Sequence, residues 1–326
     1  MAAEVAIVMP YFQRQPGILS ETVRRVFTQR HPPSFNLIIV DDGSPVPAAG
    51  ELEALSETQR AHITLIKRQN GGVAAACNTG LDAVPEATEW IARLDSDDHW
   101  DPDHLAEAMM MMRAGFDFFF ANEKGGEGVP RLEYAGFRPQ ENIRRNEGAD
   151  LFEMREGGFL NMMVQHAQIC TSTIVFKRSK FPSLRYRRTY AMCDDMHLFL
   201  DIALQSPHVA FSSRVHVDHG PGLHVNQIAD WKTNRALLTI CDFAEYYERI
   251  LREVALSATQ QAIIEGRYRR ARTDWAMTLL AMLGARRRPD RRVLMEFLPR
   301  RPGMIADLLK VAAQRCLSRN DHRPDK

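Results

Sequence analysis

Short apolar runs alternate with stretches of helical periodicity through the first 120 residues. Residues 5–9 (VAIVM) form a continuous apolar run that stops at Pro10. Over residues 18–30, Ile18, Leu19, Thr22, Val23, Val26 and Phe27 fall on one helix face. Residues 36–40 (NLIIV) predict a second strand, ended by the turn Asp41-Asp42-Gly43-Ser44-Pro45. A polar helix is expected over about 48–60, a third strand over 63–66, and a helix of small residues after Gly71-Gly72. Residues 90–94 predict a fourth strand, which runs directly into Asp95-Ser96-Asp97-Asp98. Wholly apolar strands separated by helices imply a parallel sheet covered on both faces. In such sheets the ligand site lies beyond the carboxyl ends of the strands. Three of the four strands end there in polar or acidic turns: Tyr11, Asp41/Asp42 and Asp95/Asp97.

From about 115 to 225 the pattern is mixed. Residues 116–121 and 173–176 are strand-like, residues 125–128 are a Gly-rich loop, and residues 194–205 have helical spacing. Met109 to Met112 are expected to pack the core and edge of one helix. Beyond about 226 the periodicity is helical, broken at Pro289, Pro299 and Pro302.

Composition narrows the class. The 326 residues are 45% hydrophobic and 25% charged, which is ordinary for a folded globular chain and excludes a disordered one. Lys plus Arg number 42 and Asp plus Glu 41, a net charge of +1 that argues against a chain coating nucleic acid. Five widely spaced cysteines without a CxxC argue against a disulfide framework or zinc cluster and favour a reducing, cytoplasmic location. No segment has the roughly 18 apolar residues of a bilayer span. The opening Met1-Ala2-Ala3-Glu4 lacks the positive start of a signal peptide, so export by that route is not expected.

Each acidic motif has a plain and a chemical reading. Asp95-x-Asp97 at a strand-to-turn junction could converge on Mg²⁺ or a similar hard cation, or could be a surface turn before a helix N-cap. Asp41-Asp42-Gly43-Ser44 suits a type I turn, or a carboxylate accepting from a nucleobase or ribose. Gly71-Gly72 could admit a diphosphate near a helix N-terminus, or be a loop needing positive φ. Neither GxGxxG nor GxxxxGK[ST] is present.

Taken in order, VAIVMPYFQR, LIIVDDGSP, RQNGGVAAACNTGLDAV and WIARLDSDDHWDPDHL resemble the family 2 glycosyltransferases of GT-A fold. The resemblance is close over about 4–106 and looser to about 225. It implies an α/β, Rossmann-like, mostly parallel sheet sandwiched by helices, with a C-terminal all-helical extension. A catalytic domain over 1–225 would divide into a nucleotide-sugar half (about 1–120) and an acceptor half (about 121–225). Residues 226–326 would be the basic extension.

By the same resemblance, Pro10 and Tyr11 line a nucleobase pocket and Asp42 hydrogen-bonds the base, usually uracil. Asp95 contacts the ribose region, and Asp97 ligates Mn²⁺ or Mg²⁺ bridging the diphosphate of a UDP-sugar. Asn70, Gly71, Gly72 and Asn78 match the helix that closes over the nucleotide. Many relatives carry Arg where this chain has Cys77, a lost basic contact. The family's catalytic carboxylate matches the pair Asp194-Asp195 before Met196-His197-Leu198. Asp195 is then the general base of an inverting transfer, with Asp194 orienting a glycan or lipid-linked acceptor. Two adjacent carboxylates raise one pKa by repulsion, which suits a base; the plain reading is a helix N-cap. His216, His219 and His224 crowd one short stretch, and relatives often place a His there, sometimes as a metal ligand. His219 is the first choice, then His224 and His216.

From residue 266 to the end, 16 Lys/Arg face 6 Asp/Glu, a net of +10, so residues 1–265 carry −9. Basic clusters beside apolar stretches such as 275–283 suit peripheral contact with the inner face of a cell membrane, or a helical subdomain that packs on the catalytic domain or on another copy. Nucleic acid is not an expected partner. Two rival classes fit the motifs less well. A sugar nucleotidyltransferase needs a Gly-rich basic loop after the first strand, and Pro10-Tyr11-Phe12-Gln13-Arg14 is not one. A glycosyltransferase-like scaffold would explain Cys77 but not the retained Asp42, Asp95, Asp97 and Asp195.

Overall fold

A computed structural model of the chain describes residues 3–124, 129–145, 150–165, 169–220 and 230–320. His224 and the Gly-rich stretch 125–128 lie outside the described residues. Strand β1 (Val5–Tyr11) is buried at all seven positions, as a continuous apolar run in a two-sided sheet should be. Helix α1 (Ile18–Phe27) buries Ile18, Leu19, Thr22, Val23 and Val26, the stripe its spacing predicts. Strand β2 (Phe35–Asp41) follows. The expected polar helix over 48–60 is two short ones, α2 (Ala48–Glu51) and α3 (Glu57–Arg60). Ser56 starts the second with a capping box to Gln59, a signal that Ser-x-x-Gln carries in the sequence.

Strand β3 (Ile63–Lys67), helix α4 (Val73–Asp82) and strand β4 (Trp90–Arg93) complete the parallel half. Helix α4 can lie flat on the sheet because residue 80 is glycine: a Cβ there would stand 2.5 Å from Val8 Cγ1. Next come β5 (Asp98–Trp100), α5 (His104–Arg113) and β6 (Phe118–Glu123). Within α5, Met109, Met111 and Met112 are buried while Met110 faces solvent. The rest of this region comprises α6 (Arg131–Tyr134), β7 (Ile143–Arg144), β8 (Leu151–Glu153), α7 (Gly158–Gln165), β9 (Val175–Lys177), α8 (Asp194–Ala203) and β10 (Val209–His219).

Among the described residues all the strands form one sheet, in the order β3-β2-β1-β4-β9-β6-β10-β8-β7, with β5 paired to β10. Strands β3, β2, β1 and β4 are mutually parallel, β9 is antiparallel to its neighbours, and β10 runs parallel to β6. Two apolar clusters cover the faces. One holds Leu19, Val23, Leu105 and Met109 from α1 and α5; the other holds Ala76, Cys77, Leu198 and Phe199 from α4 and α8. The fold is α/β, a sheet sandwiched by helices with a parallel N-terminal half.

The register sets the site. Tyr11 pairs with Asp41, and the Leu94 N–H reaches the Val8 carbonyl at 3.2 Å. The chain ends after β1, β2 and β4 therefore leave the sheet side by side.

The chain divides into two compact units, Met1–Arg188 with Asp195–His224, and Thr189–Asp194 with Val225–Lys326. The second is helical: α9 (Asn234–Glu253), α10 (Ala258–Gly284) and α11 (Gly303–Asn320). Its core gathers Leu237, Cys241, Trp275, Leu279, Phe297 and Met304. Within it the buried Asp242 carboxylate accepts from the N–H groups of Tyr190, Ala191 and Met192 at 2.7–2.8 Å.

Candidate active site

Pro10 and Tyr11 end β1 and are both buried, Tyr11 within the core cluster. Asp41 closes the next turn on itself, accepting from Ser44 N–H at 2.8 Å and Ala48 N–H at 2.9 Å. Asp42 points elsewhere. Its carboxylate accepts from Gly71 N–H at 3.1 Å and Gly72 N–H at 2.8 Å, and pairs with Arg68 at 3.2 Å. The Asp42 and Gly71-Gly72 motifs thus form one locked turn. Asn70 is exposed beside it. Asn78 clamps the Tyr186 backbone, donating to its carbonyl at 2.9 Å and accepting from its N–H at 2.8 Å.

Beyond β4 the acidic motif is held by groups that sequence reasoning missed. Ser172, fully buried, accepts from Asp95 N–H at 3.0 Å and donates to Asp98 Oδ2 at 2.5 Å. Thr171 donates to Asp95 Oδ2 at 3.2 Å, and the buried Gln13 amide reaches Ser96 Oγ at 3.3 Å. The signals were faint: a Gln inside the first strand's exit loop, and a Thr-Ser-Thr run just before β9. Burial opposes charge on Asp95, but the Arg93 guanidinium at 2.7 Å and the Thr171 hydroxyl hold its carboxyl below the usual range. Arg93 is itself fully buried and interacts with Cys77 and the Tyr186 ring. A cation is thus present next to Cys77, supplied from β4.

Asp97 differs from its neighbours. Burial, with the charges of Asp95 and Asp98, pushes its carboxyl up to about 7. Asp95 has Arg93, and Asp98 has His219, whose Nδ1 is 2.9 Å away; no cationic side chain pairs with Asp97 among the described residues. His219 also places Nε2 2.6 Å from Glu123 Oε2, and these two hydrogen bonds push its pKa up to about 10. Of the histidine stretch, His216 and His219 lie in β10, where His219, its last residue, pairs with Asp98 of β5. His216 is wholly buried, with Nε2 2.9 Å from Glu107.

Asp194 and Asp195 open α8 and are half-buried. The Asp195 carboxylate accepts from Met196 N–H at 2.7 Å.

Parallel strands thus end side by side in acidic turns, and the comparisons give the class. Residues 6–162 match the model for glycosyl transferase family 2. The succinoglycan biosynthesis protein ExoW of Rhizobium meliloti is 34% identical over 232 residues, spanning 68% of this chain and 70% of that protein. TuaG of Bacillus subtilis, a putative teichuronic acid biosynthesis glycosyltransferase, is 31% identical over 130 residues, 39% of this chain and 50% of TuaG. Among solved structures, Staphylococcus aureus TarS 1–349 with UDP-GlcNAc aligns at TM-score 0.57 and 14% identity, covering 94% of this chain and 79% of that one. The Pyrobaculum calidifontis mannosyltransferase PcManGT with GDP-Man and Mn²⁺ aligns at 0.56 and 16%, covering 96% and 87%. These two share the fold. The chain is a glycosyltransferase, and it belongs to family 2.

Proposed function

We propose that the chain transfers a sugar, with inversion, from a UDP-sugar to a hydroxyl of a glycan or lipid-linked acceptor. The observation that carries this reading is the clustering of Asp95, Asp97 and Asp98 in the turn after β4, where Arg93 pairs with Asp95. A group crowded by like charge is where a divalent cation relieves most strain. The residues therefore fit Mn²⁺ or Mg²⁺, with Asp97 and Asp95 as the oxygen donors. His219 stands beside this pair, its Nδ1 facing Asp98 and its Nε2 facing Glu123. Such a cation supplies positive charge against a departing diphosphate.

The chain's own groups do the rest. The Asp42 turn fixes the Gly71-Gly72 backbone at the start of α4, so that wall of the nucleotide cleft is formed before the donor arrives. Asp195 takes the proton from the acceptor hydroxyl, and Asp194 orients that hydroxyl. ExoW and TuaG are named for polysaccharide biosynthesis, which supports a growing cell-surface glycan as acceptor. TarS with UDP-GlcNAc and PcManGT with GDP-Man share the fold about equally, so the choice of a UDP donor rests on the sequence resemblance.

We place the enzyme in the cytoplasm, touching the inner membrane face through its basic helical unit. No helix among the described residues is long and apolar enough to cross a membrane. Leu294, Met295 and Leu309 are exposed apolar residues within the stretch of net charge +10. Flotation with anionic liposomes tests this; no binding at low salt refutes it.

The catalytic test is a donor screen for UDP or GDP release, with calorimetry of UDP binding with and without Mn²⁺. Asp195→Asn should lower turnover by roughly 10²–10⁴-fold and leave UDP binding intact. Asp97→Asn should abolish the Mn²⁺-dependent part of binding. Unchanged turnover in Asp195→Asn overturns its assignment as base.

A further inference from the structure

We propose that Glu123, Cys170 and His219 form a site for a thiophilic divalent cation such as Zn²⁺ or Co²⁺, chemically distinct from the oxygen donors Asp95 and Asp97. One donor atom from each of the three lies within 4.8 Å of the other two. A carboxylate, a thiol and an imidazole are the ligand set of Zn²⁺ and its neighbours in softness, whereas Mg²⁺ and Mn²⁺ prefer oxygen.

The imidazole is already oriented for a metal. Its Nδ1 is held 2.9 Å from Asp98, the carboxylate contact that metal-bound histidines commonly make through their other nitrogen. Its Nε2 faces Glu123 at 2.6 Å, a contact that the cation would replace. The imidazolium proton and the Cys170 thiol proton pass to water, and the nitrogen, the thiolate and the Glu123 oxygen each donate a lone pair. No oxidant or reductant is needed.

The scaffold is fixed independently of the ion. Val217 of β10 pairs with Glu123 at the end of β6, and His219 pairs with Asp98. Cys170 accepts through its carbonyl from Thr173 N–H at 3.1 Å. The His219 side chain is 42% exposed, giving an entry path and room for a water as fourth ligand.

The test is optical and needs no substrate, so it stands or falls apart from the proposed reaction. Co²⁺ titrated into the full chain should give a near-ultraviolet thiolate-to-metal charge-transfer band, displaced by Zn²⁺. The band should vanish in Cys170→Ser and persist in Cys316→Ser. Glu123→Gln should keep it but weaken Co²⁺ affinity by roughly tenfold or more. In the unmodified protein, Zn²⁺ should protect Cys170 from iodoacetamide, read by peptide mass spectrometry, a measurement that does not depend on a variant folding. Absence of the band, its survival in Cys170→Ser, or alkylation of Cys170 unaffected by Zn²⁺ overturns the proposal.

Discussion

Gly220 lies so close to Asp97 that a Cβ at position 220 would stand 1.9 Å from the Asp97 carbonyl oxygen. Backbone, not a movable side chain, blocks that space. The end of β10 and the acidic turn after β4 are therefore fitted to each other across more than 120 residues of chain. Gly220→Ala must push the Asp97 peptide aside, a packing strain of about 1–3 kcal/mol. The expected result is a lower melting temperature together with a weaker metal-dependent component of UDP binding. A variant with both unchanged would show that the two segments can part without consequence.

Asp42 makes a separate prediction. Its buried carboxylate accepts from the N–H groups of Gly71 and Gly72, two exposed residues, and faces Arg68. Asp42→Ala removes these bonds, a loss of about 0.5–1.5 kcal/mol for each. Because the freed turn opens α4, KM for the donor should rise more than kcat falls. Steady-state kinetics on the variant separates the two; a fall confined to kcat contradicts a positioning role.

How much of this was legible in the sequence depended on range. The burial of β1 and the stripe of α1 follow from local pattern, and both appear where the apolar residues place them. The turns after β2 and β4 were visible as acidic motifs for the same reason. The partners of those motifs were not. Asp98 meets His219 because β5 pairs with β10, two strands 121 residues apart at that contact. Strand β5 has only three residues, too few for an alternation to show. Ser172 and Thr171 sit in a short turn whose composition suits any surface loop, and only the sheet order β4-β9-β6 brings them beneath Asp95. Likewise Asp42 and Gly71 read as two ligand contacts, because a hydrogen bond between two turns leaves no periodic trace.

In the helical unit, Asp242 gathers the N–H groups of Tyr190, Ala191 and Met192. Three donors on one buried carboxylate leave little room for substitution. Asp242→Ala should destabilise this unit by at least the roughly 1–3 kcal/mol of one orphaned polar group. Hydrogen exchange should show it as faster exchange of those three amides. Exchange as slow as in the parent protein would mean another group caps them.

Asp97 supplies the pH-dependent prediction. Its carboxyl is about 7 in the folded chain against 3.8 for the ordinary group, so the folded state holds a proton that the unfolded state has released. Stability then falls as pH rises through that interval, and the full penalty remains above it. Asp97→Asn removes the penalty because the amide never ionises. The variant's gain in melting temperature over the parent should therefore be larger at about pH 8 than at about pH 5, by the linkage just given. Mn²⁺ should reverse the order: at the higher pH it binds the ionised parent and raises its melting temperature, by mass action, while the variant responds weakly. Thermal melts of both proteins at the two pH values, with and without Mn²⁺, measure all of this. A gain that is equal at the two pH values would mean that Asp97 is ionised throughout, with its charge already balanced in the free enzyme.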